Sequence, residues 1–256
     1  MKFKEKLKQF RANLLGVDPG VMSVYYKLFY KPELNSLEFF INEYSQKQTP
    51  FNFLQIGGND GFIKDPIFKF VKKYGWKGVI VEPQVDVFNG NLKKTYRFEN
   101  KVKLENLAIA DKTGVKKLWK IALSDSRWAT GLASFNKETL IYQIERNYVS
   151  DRLKREGVAI PQTVDEYLTY EEVNCTTIHD LLKKHSIQNI DLLQIDTEGY
   201  DYEIIKTIDF DVLKPKLISF ESEHLSESDY NECKSMLQSK GYTIKQIDRD
   251  SLAILS

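Results

Sequence analysis

Cysteine is scarce in this 256-residue chain: there are two, Cys175 and Cys233, far apart in sequence. Two thiols so placed form neither a disulfide framework nor a zinc-ligand spacing, and they fit a reducing, cytoplasmic compartment. Charge excess is also lacking, with 37 Lys and Arg against 36 Asp and Glu. A chain with no global positive field is not built to hold nucleic acid. No stretch approaches the ~20 apolar residues that cross a bilayer. The segment "MKFKEKLKQFRANLL" lacks the apolar core and small-residue cleavage site of a secretory signal. Histidine is rare too, at positions 179, 185 and 224, which narrows any imidazole chemistry to three residues. Internal repeats and low-complexity segments are absent.

The chain does have the means to bury a core: 42% of residues are hydrophobic and 12% aromatic, a globular rather than a disordered composition. Residues 1–47 read as a helical extension. Within it Lys2, Lys4, Lys6, Lys8 and Arg11 face a single acid, Glu5, while Phe3, Leu7, Phe10 and Leu14 recur at helical spacing. This predicts a helix docked on the domain with a solvated basic face; peripheral membrane contact is the alternative. "LNSLEFFINEY" sets Leu34, Leu37, Phe40, Ile41 and Tyr44 on one expected buried face.

From residue 48 to 256 the texture alternates between strand and helix. "FNFLQIG", "WKGVIVEP", "KVKLENLAIAD", "IDLLQID" and "PKLISFESE" read as strands. Helices are expected at "FIKDPIFKFVKKYG", with Pro66 in its first turn, and at "VDVFNGNLKKTY", weakened by Gly90. Others fall at "TTIHDLLKKHS" with a Thr cap, "YDYEIIKTI", and "SESDYNECKSMLQSKG" with Ser226 as cap. "YTIKQIDRD" and "LAILS" would close as an antiparallel hairpin. The pattern predicts an α/β, Rossmann-like fold: a mainly parallel sheet, helices on both faces and a C-terminal antiparallel hairpin. Residues 124–170 break the alternation. They are polar and aromatic, and an insertion of this kind is expected to act as a substrate-binding segment or lid.

Ligands of such sheets sit beyond the carboxyl ends of the strands. The first strand ends in Gly57-Gly58-Asn59-Asp60-Gly61, where glycines allow a tight turn and close backbone approach to a ligand. The second ends in Glu82-Pro83, with Glu82 21 residues after Gly61, the spacing of an acid that holds ribose hydroxyls. The third ends near Ala108, small enough to leave room for a flat base. An adenosine-type cofactor follows. The loop departs from G-x-G-x-x-G, and Asp60 is unfavourable beside a pyrophosphate but tolerable beside the cationic sulfonium and ammonium of S-adenosylmethionine. Asp60 bonding backbone amides is the other reading.

The quoted pieces resemble the FkbM family of class I S-adenosylmethionine-dependent methyltransferases. "LQIGGNDGF", "VIVEP", "LENLAIAD", "CTTIHDLL", "IDLLQIDTEGYDYEIIKTI" and "LISFESEHL" carry the likeness in order over about residues 50–250. The resemblance implies a class I methyltransferase fold, S-adenosylmethionine as cofactor, and methylation of a hydroxyl on a sugar, glycan or small metabolite. One residue departs from the wider class: many of its enzymes carry an acid where Gln55 stands.

In that fold the end of the fourth strand faces cofactor and acceptor, so Asp196 is the expected centre of the reaction, with Glu198 beside it or anchoring the loop through amides. His224, next to two acids at the fifth strand end, is a candidate general base as a neutral imidazole. Arg127, Trp128 and Glu223 are candidate acceptor contacts. No compact ligand spacing supports a metal, although the Asp-Glu-His group is of a type that binds divalent ions. Two rivals remain at this point: an NAD-dependent oxidoreductase, and a non-catalytic scaffold with a methyltransferase-like fold.

Overall fold

The computed structural model describes residues 19–47 and 50–256. The basic segment at 1–15 lies outside them. Two helices come first, α1 (Pro19–Phe29) and α2 (Leu37–Ser45). The Ser36 side chain caps α2 by accepting from the Phe39 amide. Tyr26, Leu37 and Ile41 pack into the same core as Phe53 and Phe68, so these helices share the domain's core. Leu34, expected on the buried face, is exposed instead, because it precedes the helix and lies in its entry turn.

The main sheet has seven strands: β1 (Asn52–Ile56), β2 (Lys77–Val81), β3 (Val102–Glu105), β7 (Leu192–Ile195), β8 (Leu217–Glu221), β9 (Tyr242–Ile247) and β10 (Asp250–Leu255). Their order is β3-β2-β1-β7-β8-β10-β9. The first five are parallel and β10 runs antiparallel to both neighbours. Strand order reverses between β1 and β7, which opens a crevice at their carboxyl ends. The central strands are continuous apolar runs because both faces are covered. Phe53, Ile80, Leu192 and Leu217 face one core and Leu54, Val79, Leu193 and Ile218 the other.

Two details differ from the sequence reading. Helix α3 (Phe68–Tyr74) begins beyond Pro66. Asp65 does the capping: its Oδ1 accepts from the Ile67 and Phe68 amides at 2.8 and 2.6 Å. The segment holding Gly90 stays helical, but α4 (Val85–Val87) passes through a π-helical turn at Phe88–Leu92 before α5 (Lys93–Tyr96). Glycine's low helical propensity is absorbed as a bulge.

The expected third strand is also divided. β3 stays in the main sheet, whereas β4 (Ala108–Ile109) joins a second sheet with β5 (Gly114–Ile121) and β6 (Leu168–Thr176), in the order β4-β6-β5. Between β5 and β6 lie α6 (Arg127–Thr130), α7 (Lys137–Glu145), α8 (Tyr148–Glu156) and a 3-10 turn at Val164–Tyr167. They close over a satellite core that includes Leu140, Ile144, Val149 and Leu153. Helix α9 (Ile178–Lys184), capped by Thr177, leads into β7. Helix α10 (Asp201–Lys206) then joins β7 to β8, and α11 (Glu227–Ser239), capped by Ser226, leads into the closing hairpin.

Candidate functional site

A cleft enclosing about 630 Å3 of empty space, part of it open to solvent, lies over the ends of β1, β2 and β7. Gly57, Asn59, Glu82, Pro83, Ala108, Arg127, Asp196 and Glu198 line it. The structure thus brings together eight of the residues expected at the site.

Gly57 has φ +85°, and a Cβ there would sit 1.8 Å from the Asp196 carbonyl oxygen. Only glycine lets the two strand ends approach so closely. Gly58 and Gly61 do not line the cleft. A Cβ on Gly58 would strike Ile80, and one on Gly61 would strike Leu92 and Tyr96. These two glycines serve the packing under the loop.

Glu82 is 2% exposed. Its Oε2 accepts from the Asn59 amide at 2.8 Å and its Oε1 from the Gln84 amide at 2.9 Å. Burial pushes its carboxyl up to about 7 against the pull of those amides. Gln84 also donates to the Thr130 carbonyl, tying β2 to the segment above it. The Asn59 Oδ1 is enclosed without a hydrogen-bond partner, an acceptor available to a ligand's ammonium group.

Asp60 departs from the expectation of a cofactor-facing charge. It does not line the cleft; its Oδ1 accepts from the Phe62 and Ile63 amides, both at 2.9 Å. Its Oδ2 lies 3.2 Å from Arg127 Nε, a pairing of charges whose N–H is not aimed along a hydrogen bond. Amides and guanidinium together already balance this carboxylate, so its charge does not select the cofactor.

At the far end stand Asp196 and Glu198. Asp196 follows β7 and opens onto the cleft. The protein packed around it, then Glu198, Asp201 and Asp250, push its carboxyl up, and its opening to water tempers the effect of burial. Glu198 holds φ +53°. Its loop is fixed by Ser134, whose hydroxyl donates to the Glu198 carbonyl at 2.8 Å. Asp201, at the start of α10, accepts from the Thr197 hydroxyl and amide and from the Glu221 amide. Burial nevertheless raises its carboxyl to about 6.

His224 stands behind Glu198 and does not line the cleft: its Nε2 is 3.1 Å from Glu198 Oε2. That bond raises the imidazole pKa, with burial opposing. The group is therefore held toward the imidazolium, contrary to the expected neutral base. Trp128 and Glu223 also lie off the cleft. The Trp128 indole donates to Glu156 at 2.8 Å, and exposed Glu223 pairs with Arg249 at 2.9 Å. Both side chains have nearer partners on their own surface. His185 is bound to Glu105, and His179 is exposed.

Sequence reasoning missed the apolar lining of the cleft. Ile109, Leu118, Phe135 and Tyr200 supply it, with Phe135 and Tyr200 packed edge to face at 5.1 Å. Three of these four lie on or against the second sheet. Its strand β5 carries lysines at 116, 117 and 120, which hide the strand pattern.

The arrangement defines a class: an α/β protein with a cleft at its strand ends and carboxylates, Glu82, Asp196 and Glu198, in its lining. The Methyltransferase FkbM domain matches residues 55–244, and the chain belongs to that family. Its cofactor is accordingly S-adenosylmethionine. No curated protein matches the chain significantly.

Among solved structures, the O-methyltransferase from Bacillus cereus in complex with SAH is 9% identical, with 91% of this chain and 87% of that one covered and a TM-score of 0.42. The human methyltransferase 10 domain containing protein is 16% identical, covering 98% and 95%, with a TM-score of 0.44. The precorrin-6y C5,15-methyltransferase of Geobacter metallireducens is 9% identical, covering 85% and 78%, with a TM-score of 0.39. The family assignment rests on the domain match.

Proposed function

We propose that this methyltransferase acts on a hydroxyl group of a sugar, glycan or small metabolite, making it an O-methyltransferase. The observation that carries the reading is the Asp196 carboxylate, open to the cleft at the end of β7 with Glu198 beside it. An alcohol loses a proton as it attacks, and a carboxylate within reach accepts it.

The residues present fit the cofactor. Glu82 has two oxygens with further lone pairs for a pair of ribose hydroxyls. Asn59 Oδ1 is an unpartnered acceptor, and Ile109 and Leu118 offer an apolar face for the base. S-adenosylmethionine supplies an electrophilic methyl group. The chain's part is alignment: Glu198, held by His224, orients the acceptor oxygen, and Asp196 takes its proton. Arg127, on the cleft wall, suits an acidic group on the acceptor.

The test is methyl transfer from labelled S-adenosylmethionine to a panel of free and lipid-linked glycans, hydroxylated metabolites and amines, read by mass spectrometry. Ether formation at a hydroxyl is the expected product. At saturating cofactor, Asp196→Asn should lower kcat about 10²–10⁴-fold, the range of a lost general base. Transfer to amines alone, or an Asp196→Asn variant with unchanged kcat, would overturn the reading.

A further inference from the structure

Three ligand-type atoms converge behind the cleft. One carboxylate oxygen each from Glu198 and Glu221 and one ring nitrogen of His224 lie within 4.8 Å of one another. His224 Nε2 is 3.1 Å from the first carboxylate oxygen and 3.9 Å from the second. The His224 side chain is 9% exposed and that of Glu221 13%. Glu221 Oε2 is itself enclosed and has no hydrogen-bond partner. An enclosed carboxyl oxygen without a hydrogen-bond partner is costly, and a cation in the gap beside the imidazole would satisfy it.

We propose that Glu198, Glu221 and His224 form a binding site for a divalent first-row transition ion of the Mn2+ type. With metal–ligand bonds of about 2.1 Å, neighbouring ligands of an octahedral ion stand about 3.0 Å apart and opposite ones about 4.2 Å. The two distances to His224 Nε2 fall within that span. One imidazole with two carboxylates suits Mn2+, Fe2+ or Zn2+, whereas Mg2+ keeps to oxygen ligands. On binding, His224 Nε2 exchanges its contact with Glu198 for the metal and gives up its proton.

Three protein ligands leave further coordination positions, and Glu198 lines the cleft, so those positions open toward the acceptor. An acceptor hydroxyl bound there is made more acidic. A neighbouring oxygen completes a chelate, which narrows the substrate class to vicinal diols and α-hydroxy acids. This narrowing rests on the O-methylation reading; metal binding does not.

The experiment titrates the chelator-stripped, full-length protein with MnCl2 and follows the electron paramagnetic resonance signal of aqueous Mn2+. The signal should stay suppressed until one ion per chain is bound, and equimolar Mg2+ should not restore it. Glu221→Gln and His224→Gln should each weaken binding at least about tenfold, with circular dichroism unchanged. If either buried variant unfolds, Glu198→Gln gives the same comparison from the cleft side. A full aqueous signal throughout, or undiminished binding by a folded variant, overturns the site. Mn2+ binding without hydroxyl methylation refutes the reaction reading alone. Methylation that survives chelation, with no Mn2+ bound, refutes the site alone.

Discussion

Glu82→Gln separates the electrostatic part of the cleft from its shape. The wild-type carboxyl is buried and raised from 4.5 to about 7. A carboxyl raised in the folded state favours folding most below its unfolded pKa, and that contribution is lost as pH climbs through the folded value. Between pH 5 and pH 8 the shift corresponds to about 2–3 kcal/mol of lost stability from this one group. Asp201 and Asp250, each raised by burial to about 6, act in the same direction to a smaller extent. Glutamine keeps the shape and does not titrate. Urea unfolding at the two pH values should therefore show a fall in the wild type that shrinks by about 2–3 kcal/mol in the variant.

Cofactor binding gives an independent reading of the same group. Ribose hydroxyls donate to the ionised carboxylate, so binding near pH 7 should release about half a proton. Calorimetry in buffers of different ionisation heat measures that release directly. In Glu82→Gln the buffer dependence should vanish and affinity fall about 10²-fold or more, the effect of losing hydrogen bonds to a charged acceptor. Equal pH slopes in the two proteins, or cofactor binding with no buffer dependence in the wild type, would refute the reasoning.

Two further substitutions probe the frame that holds the site. Gly57→Ala forces a side chain into φ +85° and against the Asp196 carbonyl. It should cost at least about 2 kcal/mol in a thermal melt, while Gly114→Ala, whose Cβ meets nothing within 4 Å, should change little. Asp65→Ala strips the acceptor from the Ile67 and Phe68 amides and from Gln55 Nε2. A loss of about 2–4 kcal/mol is expected from a missing cap and an orphaned buried amide, and denaturant titration of the two proteins side by side checks it.

The central strands were legible because a strand covered on both faces is a short apolar run between turn residues, as "FNFLQIG" and "WKGVIVEP" are. The acids at their ends could then be placed by topology alone, which is why Glu82 and Asp196 fall on one cleft, whereas Ala108 reaches it from β4 of the second sheet. The second sheet was not legible. Lys116, Lys117 and Lys120 interrupt the apolar residues of β5, and each is satisfied by partners distant in sequence, Lys116 by the Tyr200 hydroxyl and Lys120 by Glu171. Nor could the loop be divided residue by residue. Gly57, Gly58 and Gly61 look alike in sequence, and only the packing of Ile80, Leu92 and Tyr96 shows that two of them serve the core.

Gln55 shows how a departure from a wider pattern can be a local necessity. Its Nε2 donates to Asp65 Oδ2 at 2.6 Å in a buried setting. Asp65 in turn caps α3 through its other oxygen. Burial already raises the Asp65 carboxyl, and the amide of Gln55 is the group that opposes that rise most. An acid at position 55 would set two buried carboxylates at hydrogen-bonding distance, which forces one of them to take a proton. The charge that fixes the start of α3 is supplied ten residues further on, by Asp65. The residue beneath the glycine loop must therefore be a neutral donor, and glutamine meets that requirement without adding a second charge.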